Sequence, residues 1–152
     1  MLTALWICDD VKLNRVLVRH HMHTAVEADG VYEFESAQAL LHHARAVQPL
    51  EQLLTNPATR VCIVLDEHIG DERGTDVASE LLQAARASVD RVEGKDLASR
   101  LLVVGWTGAC SNSYRARAAS VGMQCVYDKL RASDIDAMRA TICKWASGGE
   151  LA

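Results

Sequence analysis

Residues 63–78 read IVLDEHIGDERGTDVA, and this stretch decides the fold. The run Cys62–Leu65 is continuously apolar, as a strand covered on both faces must be. It ends at Asp66, after which a polar connection carries His68 and Gly70. Val77, Leu81, Leu82 and Ala85 then recur at i, i+3, i+4 spacing, which predicts a helix with one apolar face. A buried strand, a carboxylate at its end, a short connection and an amphipathic helix make one unit of a parallel α/β sheet.

The same alternation extends outward in both directions. Strands are predicted at Ala4–Cys8 (ALWIC), Val31–Phe34 (VYEF), Leu101–Trp106 (LLVVGW) and Cys125–Tyr127 (CVY). Between them, Leu13, Val16 and Leu17 mark one helix and Ala39, Leu40 and His43 another. A short helix is predicted to start around Ser111–Ser113, whose hydroxyls suit an N-cap. The last helix carries Ile135, Met138, Ile142 and Trp145 on one stripe and ends at Gly148–Gly149. The expected architecture is an α/β, (βα)5 doubly wound parallel sheet in a single domain over residues 1–152. Gln48–Thr59, with both prolines, and Ser88–Ser99, with Gly94, exceed a minimal five-unit fold and are expected to be loop or helix extensions. Ser147–Ala152 reads as a frayed end.

Composition bounds the function. At 152 residues, 49% hydrophobic and 24% charged, the chain can build a core and is not a disordered tail. Its formal charge of −4 is the wrong sign for gripping phosphate backbones, so nucleic acid is not an expected partner. The five cysteines are odd in number, far apart and free of CxxC spacing, which suits reduced thiols and a cytoplasmic location. The N-terminus lacks the basic and apolar regions of a signal peptide, and no apolar run approaches the ~20 residues a membrane span needs.

Chemistry collects at the strand ends, where open parallel sheets bind ligands. Asp9 and Asp10 follow the first strand, Asp66 the third, Thr107 the fourth and Lys129 the fifth. Three carboxylates brought together repel unless a cation sits among them, and hard oxygen ligands suit Mg²⁺. A lysine and a threonine beside such an ion are what a transferred phosphoryl group requires, with one carboxylate as nucleophile. His20, His21 and His23 fall on different faces of a helix end and do not predict a zinc site. His42 and His43 read as residues of an amphipathic helix.

These residues resemble the receiver domain of two-component response regulators. ICDDVKLNR is similar to the family's acidic pair and first helix, IVLDEHIGDERGTDVA to its phosphoacceptor loop, VVGWTGA to its threonine region and VYDKL to its lysine region. The resemblance runs from about Leu5 to about Trp145, and the DDxxxNR form with Asn14–Arg15 is similar to receivers of hybrid histidine kinases and phosphorelays. It implies a flavodoxin-like strand order 2-1-3-4-5. It also implies that Asp66 accepts a phosphoryl group from a phosphohistidine of a histidine kinase or histidine phosphotransfer protein. Asp10 would bind Mg²⁺ with Asp66 and the backbone carbonyl of His68, and Asp9 would hold a metal-bound water. Lys129 would pair with Asp66 and then with a phosphoryl oxygen, and Thr107 would donate to another. Such a domain catalyses only its own phosphorylation and dephosphorylation.

The chain departs from the family pattern at several points. Gly70 and Leu130 stand where prolines are usual. Val126 holds the place of the switch aromatic, with Tyr127 beside it expected to face the other side of the strand. Trp106 is bulky where a smaller aliphatic is common. Two other readings compete: a Mg²⁺-dependent phosphohydrolase with an aspartyl nucleophile, and an interaction module that works without phosphorylation. The first usually needs an acid two residues after the nucleophile, where this chain has His68.

Overall fold

Five apolar segments pair side by side, all parallel, in a computed structural model that describes residues 1–27, 29–89 and 96–151. In chain order the strands are β1 (Ala4–Cys8), β2 (Val31–Phe34), β3 (Val61–Leu65), β4 (His68–Ile69), β5 (Glu72–Arg73), β6 (Leu101–Thr107) and β7 (Cys125–Asp128). The helices are α1 (Lys12–Met22), α2 (Ala37–His42), α3 (Leu50–Leu53), α4 (Gly74–Val89), α5 (Asn112–Val121) and α6 (Asp134–Ala146). The large sheet runs β2-β1-β3-β6-β7, which is the expected 2-1-3-4-5 order once the small antiparallel hairpin β4-β5 is set aside. The predicted strands stand, with β3, β6 and β7 each one residue longer than expected.

Side chains alternate across the sheet, so each face buries its own core. Trp6, Ile63, Leu65, Leu101 and Val103 meet α2, α4 and α5 on one side. Leu5, Ile7, Cys62, Val64, Leu102, Val104 and Trp106 meet α1 and α6 on the other. Fully burying one such side chain contributes about 1.5–3 kcal/mol, which is why the central strands read as unbroken apolar runs.

The face of α1 differs from expectation. Leu13, Val16 and Leu17, predicted to pack inward, are 66%, 44% and 38% exposed. Val18 and Met22 are the residues it buries. The polar residues decide the rotation: Arg15 donates to the backbone carbonyl of Asp9 at 2.7 Å and Asn14 Nδ2 to its Oδ1 at 3.3 Å. Helix α2 shows a smaller shift, burying Ala37 and Leu40 while Ala39 is exposed. It continues as a π-helical turn over His43–Val47, with His43 buried against the rings of Trp6, Tyr32 and Phe34.

The segment 48–59 is a helix extension: α3 places Leu50 in the core, Leu54 follows it, and the Arg100 guanidinium donates to the Leu54 carbonyl at 2.5 Å. Within 88–99, α4 runs on to Val89 and Asp96 caps a 3₁₀ turn at Leu97–Ser99, while residues 90–95 lie outside the described residues. Residues 147–151 are tied down rather than frayed, and Ala152 lies outside the described residues. Gly148 and Gly149 donate to the Trp145 and Lys144 carbonyls, and Leu151 packs on the α6 side of the core.

Candidate functional site

Parallel register carries three strand ends to one edge of the sheet. Cys8 pairs with Leu65, and Leu65 with Gly105, so Asp9, Asp66 and Thr107 emerge together. Asp10 follows Asp9, and Lys129 follows β7, its backbone N–H donating to the Thr107 carbonyl at 3.0 Å. Carboxylate oxygens of Asp9, Asp10 and Asp66 all lie within 4.8 Å of one another. Asp9 and Asp66 are buried and Asp10 is exposed, so the cluster opens to solvent on the Asp10 side.

Lys129 sits among these charges. Its Nζ is 2.5 Å from Asp9 Oδ2, 2.9 Å from Asp66 Oδ2 and 5.2 Å from the centre of the Trp106 ring. One ammonium therefore offsets part of the repulsion between two carboxylates, and the indole face below adds a further favourable contact. Asp9 is held firmly, its Oδ1 accepting from the Val11 N–H at 2.9 Å and from Asn14. Cys8, next to it, has its thiol pushed up to about 12, chiefly by burial and then by Asp9.

The hairpin β4-β5 folds over the site's outer side. Gly70 at its tip has φ +60°, a conformation that favours glycine, and its N–H donates to Asp10 Oδ2 at 3.3 Å. Proline could make neither arrangement. Leu130 likewise uses its N–H, donating to Asp128 Oδ1 at 2.8 Å, and its peptide bond is trans. His68 is exposed on β4, paired with Arg73. Thr107 is fully buried and its Oγ accepts from the Ala109 N–H at 3.1 Å.

Sequence reasoning missed Glu67. Directly after Asp66, it is 1% exposed, and its carboxylate accepts from the Thr75 N–H and hydroxyl at 2.9 and 3.0 Å and from Arg117 at 2.9 Å. A charged residue closing an apolar strand, with threonine at the head of the next helix, was its only signal. Tyr127 does face away from Val126, its hydroxyl donating to Thr141 Oγ1 of α6 at 2.6 Å. The space beside Val126 is filled instead by Tyr114 from α5, whose hydroxyl is raised above the usual tyrosine range by burial and then by Glu67. His20 and His21 of α1 and His23 just after it do not form a ligand group; the acidic trio is the cluster found among the described residues.

An acidic trio of hard oxygen donors, two of them buried, fits a small divalent cation better than it fits a soft one. No family model matches the chain, and no curated protein matches it by sequence. Solved structures do match it closely in shape. The beryllofluoride-activated DrrB receiver domain superposes with a TM-score of 0.68 at 13% identity, covering 97% of this chain and 99% of that one. A CheY-like receiver domain protein from Methanospirillum hungatei JF-1 gives 0.66 at 11% identity, covering 98% and 100%. The Mn²⁺-bound response regulator Rcp1 gives 0.66 at 17% identity, covering 99% of each. The fold is that of response-regulator receiver domains, as the motifs implied.

Proposed function

We propose that this protein is a phosphorylation-switched signalling receiver in which Asp66 is the phosphoacceptor. The observation that carries the reading is the Asp9–Asp10–Asp66 cluster with Lys129 bridging two of its members. In this reading the donor's P–N bond breaks as an Asp66 carboxylate oxygen bonds to phosphorus, and the donor imidazole leaves. Lys129, already paired with Asp66, meets the incoming phosphoryl oxygens with positive charge, and the Thr107 hydroxyl turns from Ala109 to donate to another oxygen.

Asp10, Asp66 and the His68 carbonyl would hold Mg²⁺, with Asp9 reaching it through water. When bound, the ion would neutralise charge on the phosphoryl oxygens. The open Asp10 side supports this assignment, and so does the hairpin that carries His68 and is tied to Asp10 through Gly70. The receiver turns over its own acyl phosphate and acts on no separate metabolite.

The donor is a phosphohistidine on a histidine kinase or histidine phosphotransfer protein, met in the cytoplasm, a setting that five free cysteines support. Val11 just before α1, Leu13, Val16 and Leu17 on it, and Leu130 next to Lys129 are exposed. Apolar residues flanking a charged site suit a helical partner that must bring its own histidine to Asp66.

Intact mass after incubation with Mg²⁺ and acetyl phosphate tests the proposal. One added phosphoryl group in the wild type and none in Asp66→Asn is the expected result. Equal labelling of both would overturn it.

A further inference from the structure

Glu67 and Asp66 are adjacent, yet their carboxylates serve different neighbours. The Glu67 N–H donates to Asp66 Oδ1 at 2.8 Å, while its side chain is sealed between α4 and α5. On the α4 side it is fixed twice, by the backbone and the hydroxyl of Thr75. On the α5 side it has one partner, Arg117, whose side chain is 42% exposed. The carboxylate is thus anchored to α4 and only tethered to α5.

Two further features bear on α5. Tyr114, three residues before Arg117, is 1% exposed, and its hydroxyl has no hydrogen-bond partner. Its ring occupies the room behind the site: a Cβ at Gly105 would collide with the Tyr114 hydroxyl and press on Val126. A buried hydroxyl left unpaired is costly. In addition, the chain leading into α5 starts at Thr107, whose Oγ now holds the Ala109 N–H.

We propose that the Glu67–Arg117 ion pair is a latch that holds α5 in its resting position, and that Glu67 is the positioning residue through which this helix reads the state of Asp66. The inference rests on the receiver reading given above. When Thr107 turns to a phosphoryl oxygen, Ala109 loses its acceptor and the turn before α5 must move. Glu67 stays with Thr75, so the displacement falls on its single link to Arg117, and Tyr114 moves with the helix. Coupling of this kind is reciprocal: a latch that favours the resting helix also opposes occupation of the phosphoryl site, and releasing it favours both changes.

The test uses beryllofluoride with Mg²⁺ as the probe and compares wild type with Glu67→Gln and Arg117→Gln. Glu67→Gln keeps an oxygen acceptor for Thr75 and removes the charge, so it isolates the link to α5 from the fold. Beryllofluoride half-saturation, read by Trp106 fluorescence, should fall on the order of fivefold in both variants. Amide exchange of residues 112–121 without beryllofluoride should rise toward the level of the activated wild type. A purely structural role would lower thermal stability and leave half-saturation unchanged or weaker, and that result overturns the latch while the receiver reading stands. A wild type that does not respond to beryllofluoride, like an Asp66→Asn control, overturns both.

Discussion

Lys129 Nζ lies within hydrogen-bonding distance of Asp9 Oδ2 and Asp66 Oδ2 at once, joining carboxylates from two neighbouring strands through a residue from a third. A cation entering the cluster changes what this ammonium must balance. Because the ammonium lies over the Trp106 ring, Mg²⁺ titration should alter indole fluorescence, and Asp10→Ala should weaken the half-saturation by about tenfold or more, since each lost carboxylate removes one of few protein ligands. Unchanged Mg²⁺ affinity in that variant would place the ion elsewhere.

Removing the ammonium should separate binding from chemistry. Lys129→Met leaves two buried carboxylates less well balanced, so Mg²⁺ should bind at least as tightly as in wild type. Labelling by acetyl phosphate should nevertheless fall by about a hundredfold, because stabilisation of the transferred group's oxygens is lost. Parallel loss of Mg²⁺ affinity would show that the lysine shapes the cluster rather than serving the transfer.

The exposed side of α1 predicts a split between donors. Leu13→Lys and Val16→Lys lie on the surface and should change stability by no more than about 0.5 kcal/mol. Labelling by acetyl phosphate should be untouched, whereas transfer from a phosphorylated histidine phosphotransfer protein should slow by about tenfold or more through lost docking. Equal rates from both donors in these variants would move the docking surface away from this helix.

Gly105 and Tyr114 make a pair that mutation can resolve. Gly105→Ala should destabilise by about 1–3 kcal/mol, because the added methyl group meets the phenol. Tyr114→Phe alone should be neutral or stabilising by about 1 kcal/mol, since it deletes an unpaired buried hydroxyl. Combined, the two should cost less than their sum, and strict additivity in urea unfolding would mean they do not touch in solution.

Buried thiols set an alkaline limit. Burial holds Cys8 at about 12 and Cys125 at about 11, above the ordinary 9.0, so both stay protonated in the folded chain where an unfolded chain would lose the proton. The unfolded state then binds fewer protons, and stability is complete below about pH 9 and falls as pH rises through the folded values. Each thiol contributes on the order of 1 kcal/mol per pH unit in that window. Urea midpoints at neutral pH and about pH 10 should differ accordingly, and Cys8→Ala should reduce the difference, leaving the share of Cys125.

Most of the sheet was legible because doubly covered strands must be apolar without interruption. Asp9, Asp10, Asp66, Thr107 and Lys129 were legible because each stands at or just past the end of such a run. The orientation of α1 was not. A stripe at i, i+3, i+4 shows that a helix has an apolar face, but not that Asn14 and Arg15 will claim the inward side by bonding to Asp9. Glu67 was hidden for a related reason: its partners, Thr75 and Arg117, come from two different helices, and no local spacing connects them. The hairpin β4-β5 is two residues a side and largely polar, too short to show periodicity.

The rotation of α1 also bears on how such a protein could diversify. One side of the helix is committed to the acidic cluster through Asn14 and Arg15, and there a substitution would disturb the placement of Asp9. The other side carries Leu13, Val16 and Leu17, which support neither the core nor the cluster. Change there is insulated from the chemistry. Under the proposed receiver function, a duplicated copy could drift to a new donor through a few surface substitutions while the acidic cluster stayed intact, and discrimination between sister copies would rest on one side of an eleven-residue helix.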